Sequence, residues 1–92
     1  MKQKFAFITG ASAGIGQACA ALLAKQGYHL ILCGRRRERL EVLKQSLEAE
    51  HGIQCHILSF DVRVREEVEA AIASLTEEQK QVDVLINNAG LA

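Results

Sequence analysis

Ninety-two residues, 49% hydrophobic and 24% charged with zero formal net charge, make one domain at most, near the small end of the usual range. The balanced charge and a pI of about 6.8 exclude a partner held by bulk charge, whether nucleic acid or an anionic membrane surface. A mean hydropathy of +0.05 argues against disorder, and the short apolar runs exclude a transmembrane helix.

Met1-Lys2-Gln3-Lys4 is too short a lead to read as a signal peptide. Cys19, Cys33 and Cys55 are odd in number, widely spaced and form no Cys-x-x-Cys pair, which predicts structural thiols in a reduced, cytoplasmic protein. Lys4 to Thr9 reads as a buried strand bounded by glycine. Ile15 to Gln26 reads as a helix whose apolar stripe is Ile15, Ala18, Cys19, Leu22 and Leu23, with Gly27 at the C-terminal cap position. His29 to Cys33 is a second buried strand. Arg35 to Glu50 is a second helix, with Leu40, Leu43 and Leu47 in its stripe, Val42 flanking them and Gly52 as a stop. Ile53 to Phe60 is a third strand. Val64 to Glu78 is a third helix with Val68, Ala71, Ile72 and Leu75 inward, followed by a polar connection to Gln81. Val82 to Asn87 is a fourth strand, and Asn88-Ala89-Gly90 turns out of it.

The order β-α-β-α-β-α-β implies an α/β fold with a parallel sheet. Right-handed crossovers place two helices on one face if strands one to three march one way. A fourth strand returning beyond strand one puts the third helix on the other face. The result is a Rossmann-type, doubly wound sheet of order 3-2-1-4 with its switch point between strands one and four. The loops after those two strands, Gly10–Gly16 and Asn88–Gly90, then flank one crevice.

The first loop, Thr9-Gly10-Ala11-Ser12-Ala13-Gly14-Ile15-Gly16, joins strand to helix and offers backbone N–H groups and a helix N-terminus to a phosphate. Its spacing is Gly-x-x-x-Gly-x-Gly. It resembles the TGxxxGIG motif of the short-chain dehydrogenase/reductase family. Asn87-Asn88-Ala89-Gly90 resembles that family's NNAG motif, and Asp61-Val62 its adenine-contacting aspartate. The three motifs stand in family order and span essentially the whole chain.

Gly10, Gly14 and Gly16 allow the sharp turn and the close approach of a pyrophosphate. Ser12 has two roles open to it, donating to a phosphate or capping the helix. Ile15 resembles the family residue whose backbone N–H meets the nicotinamide-side phosphate; its side chain reads as core. The end of strand two carries Cys33-Gly34-Arg35-Arg36-Arg37-Glu38-Arg39, with no carboxylate for a ribose 2′-OH. Cations at a helix N-terminus oppose the helix dipole at about 0.3–1 kcal/mol each. Guanidinium groups there suit a 2′-phosphate through charge-assisted bidentate bonds, so NADP(H) is favoured over NAD(H). Gly34 leaves room for the phosphate. Arg35 is the first candidate contact and Arg36 the second, while Arg37 and Arg39 read as exposed partners of Glu41 or Glu38. Asp61 accepts from the adenine amino group, caps the third helix, or both, with Val62 supplying a backbone N–H and an apolar wall. The resemblance implies that Asn87 ties the sheet together and that Asn88, Ala89 and Gly90 lie along the adenosine ribose. His29, His51 and His56 have no partner at a nucleophile's spacing, no cluster suits a metal, and Glu66, Glu67 and Glu69 read as a solvated face.

The resemblance further implies hydride transfer assisted by a serine and a Tyr-x-x-x-Lys pair. Neither the pair nor that serine is found: the sole tyrosine is Tyr28, followed four residues on by Leu32. Residues 1–92 are therefore read as the NADP-binding half of a Rossmann-fold domain, its catalytic half absent. Apolar residues near strands one and four, Phe5, Phe7, Val84 and Ile86, are expected to lack cover on one side, leaving the isolated chain marginal or self-associating. The run from Gly34 to Leu40, with Asp61-Val62-Arg63 and Asn87 to Ala92, looks most similar to the family's NADP-dependent 3-hydroxy acid dehydrogenase group. That implies a small hydroxy or keto substrate, and a homo-oligomer, tetramer or dimer, for the full-length form. The alternative is a non-catalytic module that binds or senses a dinucleotide.

Overall fold

A computed structural model describes residues 3–11 and 14–87. The elements are β1 (Phe5–Thr9), α1 (Gly14–Lys25), β2 (His29–Gly34), α2 (Arg37–His51), β3 (Cys55–Ser59), α3 (Arg65–Ala73), α4 (Glu77–Lys80) and β4 (Val84–Asn87). The four strands form one parallel sheet of order β3-β2-β1-β4, the doubly wound arrangement expected from the alternation of elements. In register, Ile8 lies beside Leu32 on one side and Ile86 on the other. All four strands therefore end along one edge of the sheet.

Alternate residues of each strand feed two cores. Ala6, Ile8, Leu30, Leu32, Cys55 and Ile57 pack with Ala20 and Ala24 of α1 and Leu40, Leu43 and Leu47 of α2. Phe5, Ile31, Cys33, Leu58 and Phe60 pack on the opposite face with Leu75, and Val68 and Ala71 of α3 lie against them. Two helices on one face and α3 on the other is the outcome that right-handed crossovers require for this strand order.

The stripe of α1 differs from expectation. Its buried residues are Gly16, Ala20 and Ala24, while Ile15 is 65% and Leu22 58% exposed. Small residues at four-residue spacing let the helix backbone sit close on the sheet. At about 100° per residue, Ile15 and Leu22 then lie about 140–160° around the helix from the middle of that contact. Leu23 stays on the buried side. Periodicity alone ranked the larger side chains as core, but close approach selected the smaller ones.

The third helix is also divided. α3 stops at Ala73, where the Ser74 hydroxyl donates to the Ala71 carbonyl at 2.6 Å. A capping box then starts α4: the Gln79 N–H donates to Thr76 Oγ1 at 3.1 Å and the Thr76 N–H to Gln79 Oε1 at 3.0 Å. The Thr-x-x-Gln spacing is a helix-start signal inside what reads as one continuous helix, and Ile72 consequently faces outward. At the β4 edge, the exposed apolar side chain is Leu85 at 65%. Phe5 is buried, and Val84 and Ile86 pack against the α1 side of the core.

Candidate functional site

β1 runs into a turn at Gly10, whose φ is +63°, and α1 opens at Gly14 with φ +57°. L side chains strain in that region, so glycine is required at both places. Among the described residues an added Cβ at Gly14 would meet no atom within 4 Å, so conformation rather than crowding imposes the requirement there. The root of the turn is fixed by the Ala11 N–H, which donates to the Cys33 carbonyl at 3.0 Å. Gly16 is buried against the sheet. The Ile15 side chain is not core, because the close contact through Gly16 turns it outward. Ser12 lies outside the described residues.

The second loop follows β2. The Gly34 carbonyl accepts from the Phe60 N–H at 3.0 Å, and the Ser59 hydroxyl donates to the Arg35 carbonyl at 3.4 Å. α2 begins at Arg37, not Arg35; Arg36 is its N-cap in an extended conformation, with no side-chain cap. Arg35 and Arg36 thus form a two-residue exposed connection, and neither has an ion-pair partner among the described residues. Arg37 pairs with Glu41 at 3.8 Å, a solvent-exposed i,i+4 contact of small value.

The third loop is more ordered than its composition suggests. The Asp61 N–H donates to Glu67 Oε1 at 3.1 Å, and the Val64 N–H donates to the Asp61 carbonyl at 3.0 Å. Asp61 Oδ1 accepts from the Arg63 N–H at 2.9 Å and from Arg63 Nε at 3.1 Å, while Oδ2 accepts from Arg63 Nη2 at 2.9 Å. Asp61 is therefore not the cap of the third helix. That helix starts too late, at Arg65 with Val64 as N-cap, and the carboxylate closes an Asx-type turn instead. Hydrogen bonds from the Arg63 side chain and backbone hold the Asp61 pKa down at about 2, with the Arg63 and Arg35 charges adding to the effect. The Arg35 charge, on the second loop, is thus felt by the Asp61 carboxylate on the third. Glu67, read as part of a solvated face, is a structural acceptor here; its place three residues after the N-cap was the available signal.

Between β1 and β4 the Thr9 hydroxyl faces Asn87 Oδ1 at 3.1 Å and the Ile86 carbonyl at 3.4 Å. Asn87 thus joins β1 and β4 at the switch point. Asn88, Ala89 and Gly90 lie outside the described residues. His29 Nδ1 accepts from the Gln54 N–H at 3.0 Å and its ring stacks obliquely on Phe5, a structural setting. His56 lies within β3, its Nε2 buried without a hydrogen-bond partner among the described residues, and burial lowers its pKa. Burial pushes the thiols of Cys33 and Cys55 up to about 12, which leaves them protonated and unreactive at neutral pH. Among the described residues no group of three His, Cys, Asp or Glu could hold a metal ion, and no helix is long and apolar enough to cross a membrane.

A glycine turn at the head of β1, arginines after β2 and an aspartate turn after β3, all along the carboxyl edge of a doubly wound sheet, define a dinucleotide-binding type of fold. Residues 4–92 match the family model described as short chain dehydrogenase, and the chain belongs to that oxidoreductase family. It is 49% identical over 86 residues to a sulfoacetaldehyde reductase of Chromohalobacter salexigens, covering 94% of this chain and 33% of the relative. To the NADP-dependent 3-hydroxy acid dehydrogenase YdfG of Escherichia coli it is 44% identical over 85 residues, covering 92% and 33%. The structure superimposes with a TM-score of 0.87 and 38% identity on L-sorbose reductase from Gluconobacter frateurii complexed with NADPH and L-sorbose, covering 98% of this chain and 34% of that one. The chain spans about a third of the length of these relatives.

Proposed function

We propose that residues 1–92 are the NADP(H)-binding half of a short-chain dehydrogenase/reductase that moves a hydride between NADP and a small hydroxy or keto substrate. The observation that carries this reading is the pair of exposed guanidinium groups, Arg35 and Arg36, which have no ion-pair partner among the described residues and stand immediately beyond the anchored end of β2. Two exposed cations at a helix N-terminus stand against the helix dipole, and an anion bound between them and the neighbouring loops offsets that cost. The ligand would lie with its pyrophosphate over the turn formed by Gly10, Ser12, Gly14, the Ile15 N–H and Gly16. Its 2′-phosphate would meet Arg35 and Arg36 beside Gly34, its adenine Asp61 and Val62, and its ribose Asn88, Ala89 and Gly90. The open space at Gly14 and the left-handed backbone there suit such a cradle. The bound nicotinamide supplies the hydride donor or acceptor; this chain's residues bind and orient it. The names of the relatives support a short hydroxy acid or a related aldehyde as the substrate class, a 3-hydroxy acid first. A full-length homo-oligomer in the cytoplasm completes the proposal.

Fluorescence titration with NADPH and NADH tests the cofactor assignment. NADPH is expected to bind more tightly. Because hydrogen bonds to charged groups contribute about 1.5–3 kcal/mol, Arg35→Asp is expected to lower the NADPH:NADH preference by about 10–100-fold. Equal affinities in the wild type, or a preference untouched by the substitution, would overturn the reading.

A further inference from the structure

The hydrogen bonds of the Asp61 turn assign a task to Arg63, an exposed residue whose place in the sequence suggests none. An ionised carboxylate offers about four lone-pair directions. Three are occupied, two on Oδ1 by the Arg63 N–H and Nε and one on Oδ2 by Nη2. One direction on Oδ2 remains. The backbone is equally selective. The N–H groups of Asp61, Arg63 and Val64 are all engaged, whereas that of Val62 has no partner among the described residues. Val62 also exposes an apolar side chain. The turn thus presents one acceptor, one adjacent donor and an apolar surface.

We infer that Arg63 is a positioning residue that makes this turn selective for a 6-aminopurine. It fixes the Asp61 carboxylate in one orientation and consumes every acceptor position but one. An adenine edge matches what is left, its 6-amino group donating to Oδ2 and its N1 accepting from the Val62 N–H. A hypoxanthine edge opposes it at both positions. Its 6-oxo group brings an acceptor to an acceptor, and its N1–H brings a donor to a donor. Arg63 itself touches neither base nor phosphate in this assignment; it acts through Asp61. The planar guanidinium is essential because only a fork engages both oxygens at once. The inference rests on the adenosine placement proposed above.

The test measures dissociation constants of NADP+, NAD+ and the hypoxanthine analogue of NADP+ for the wild type, Arg63→Ala and Arg63→Lys. The wild type is expected to prefer adenine over hypoxanthine by about tenfold or more, because mismatched polar groups are left unpaired. Arg63→Ala, which loses the fork and frees the carboxylate to turn toward a hypoxanthine N1–H, is expected to lower that ratio by about threefold or more, with Arg63→Lys intermediate because it keeps the charge without the fork. The NADP+:NAD+ ratio is expected to hold within about twofold in both variants, since the 2′-phosphate is read elsewhere. General damage to the fold would weaken all three ligands alike and leave the ratios intact, so an unchanged adenine preference in Arg63→Ala overturns the assignment of Arg63 while the cofactor reading stands. A fall in the NADP+:NAD+ ratio would also overturn it, by making Arg63 a phosphate ligand. Absence of any dinucleotide binding by the wild type would remove both.

Discussion

Replacing Gly14 by alanine isolates the conformational cost of the turn that begins α1. Gly14 has φ +57°, and an alanine Cβ built there would meet nothing within 4 Å. Steric overlap with the rest of the molecule therefore contributes nothing, and the whole effect is that of holding an L-residue in the left-handed region, about 1–2 kcal/mol. A small part is returned because alanine restricts the unfolded chain more than glycine does, about 0.4–1 kcal/mol. The net destabilisation is thus expected at about 0.5–1.5 kcal/mol, with Gly14→Asn milder because asparagine visits this region more readily. Urea unfolding monitored by far-ultraviolet circular dichroism reads the difference from the shift in midpoint at constant slope. A loss above about 3 kcal/mol would mean that the site is crowded after all, and no loss would mean that the backbone relaxes out of the left-handed region; either result refutes the reasoning.

Two further outcomes follow from the packing and the charges. Ala20→Leu, at a fully buried position on the close face of α1, is expected to cost about 1–3 kcal/mol or more by overpacking, whereas Leu22→Gln, on the opposite, open side of the helix, stays within about 0.5 kcal/mol; chemical denaturation of both, with the order reversed, would restore the stripe that periodicity favours. Asp61, its pKa depressed to about 2 by Arg63, contributes stability that is present above the ordinary carboxylate range and is lost as pH falls through about 2. A thermal series from pH 6 to pH 2 should therefore show a smaller acid decline in Asp61→Asn than in the wild type, and identical declines would count against the pair.

The architecture was legible because alternation of strands and helices, with glycines at the turns, leaves few topologies open. β1 and β2 are plain in the sequence because central strands of a parallel sheet are buried on both faces and read as apolar runs. What escaped was set by tertiary contact. Gly16, Ala20 and Ala24 carry little hydrophobic signal, yet they make the close face of α1, because the distance of approach and not side-chain size decides burial there. Within the site, Arg35 and Arg36 were recognisable as charge placed against a dipole. The Asp61–Arg63 fork was not, since a two-residue separation carries no periodic signature. Glu67 looked like one acid among several until the turn at Asp61 gave it a donor. The Thr76–Gln79 capping box was present in the sequence but masked by the apolar spacing that runs through it.

The anchoring of the second loop has a consequence for how such a protein can change. The Gly34 carbonyl is tied to Phe60 and α2 begins at Arg37, so only two exposed side chains stand between fixed points. Exposed positions of this kind tolerate substitution within about 0.5 kcal/mol. Under the cofactor assignment proposed above, ligand preference would be written in two letters that the fold does not read. On that assignment a lineage would exchange one nicotinamide currency for the other at this spot while its core, its strand register and its folding remain as they were.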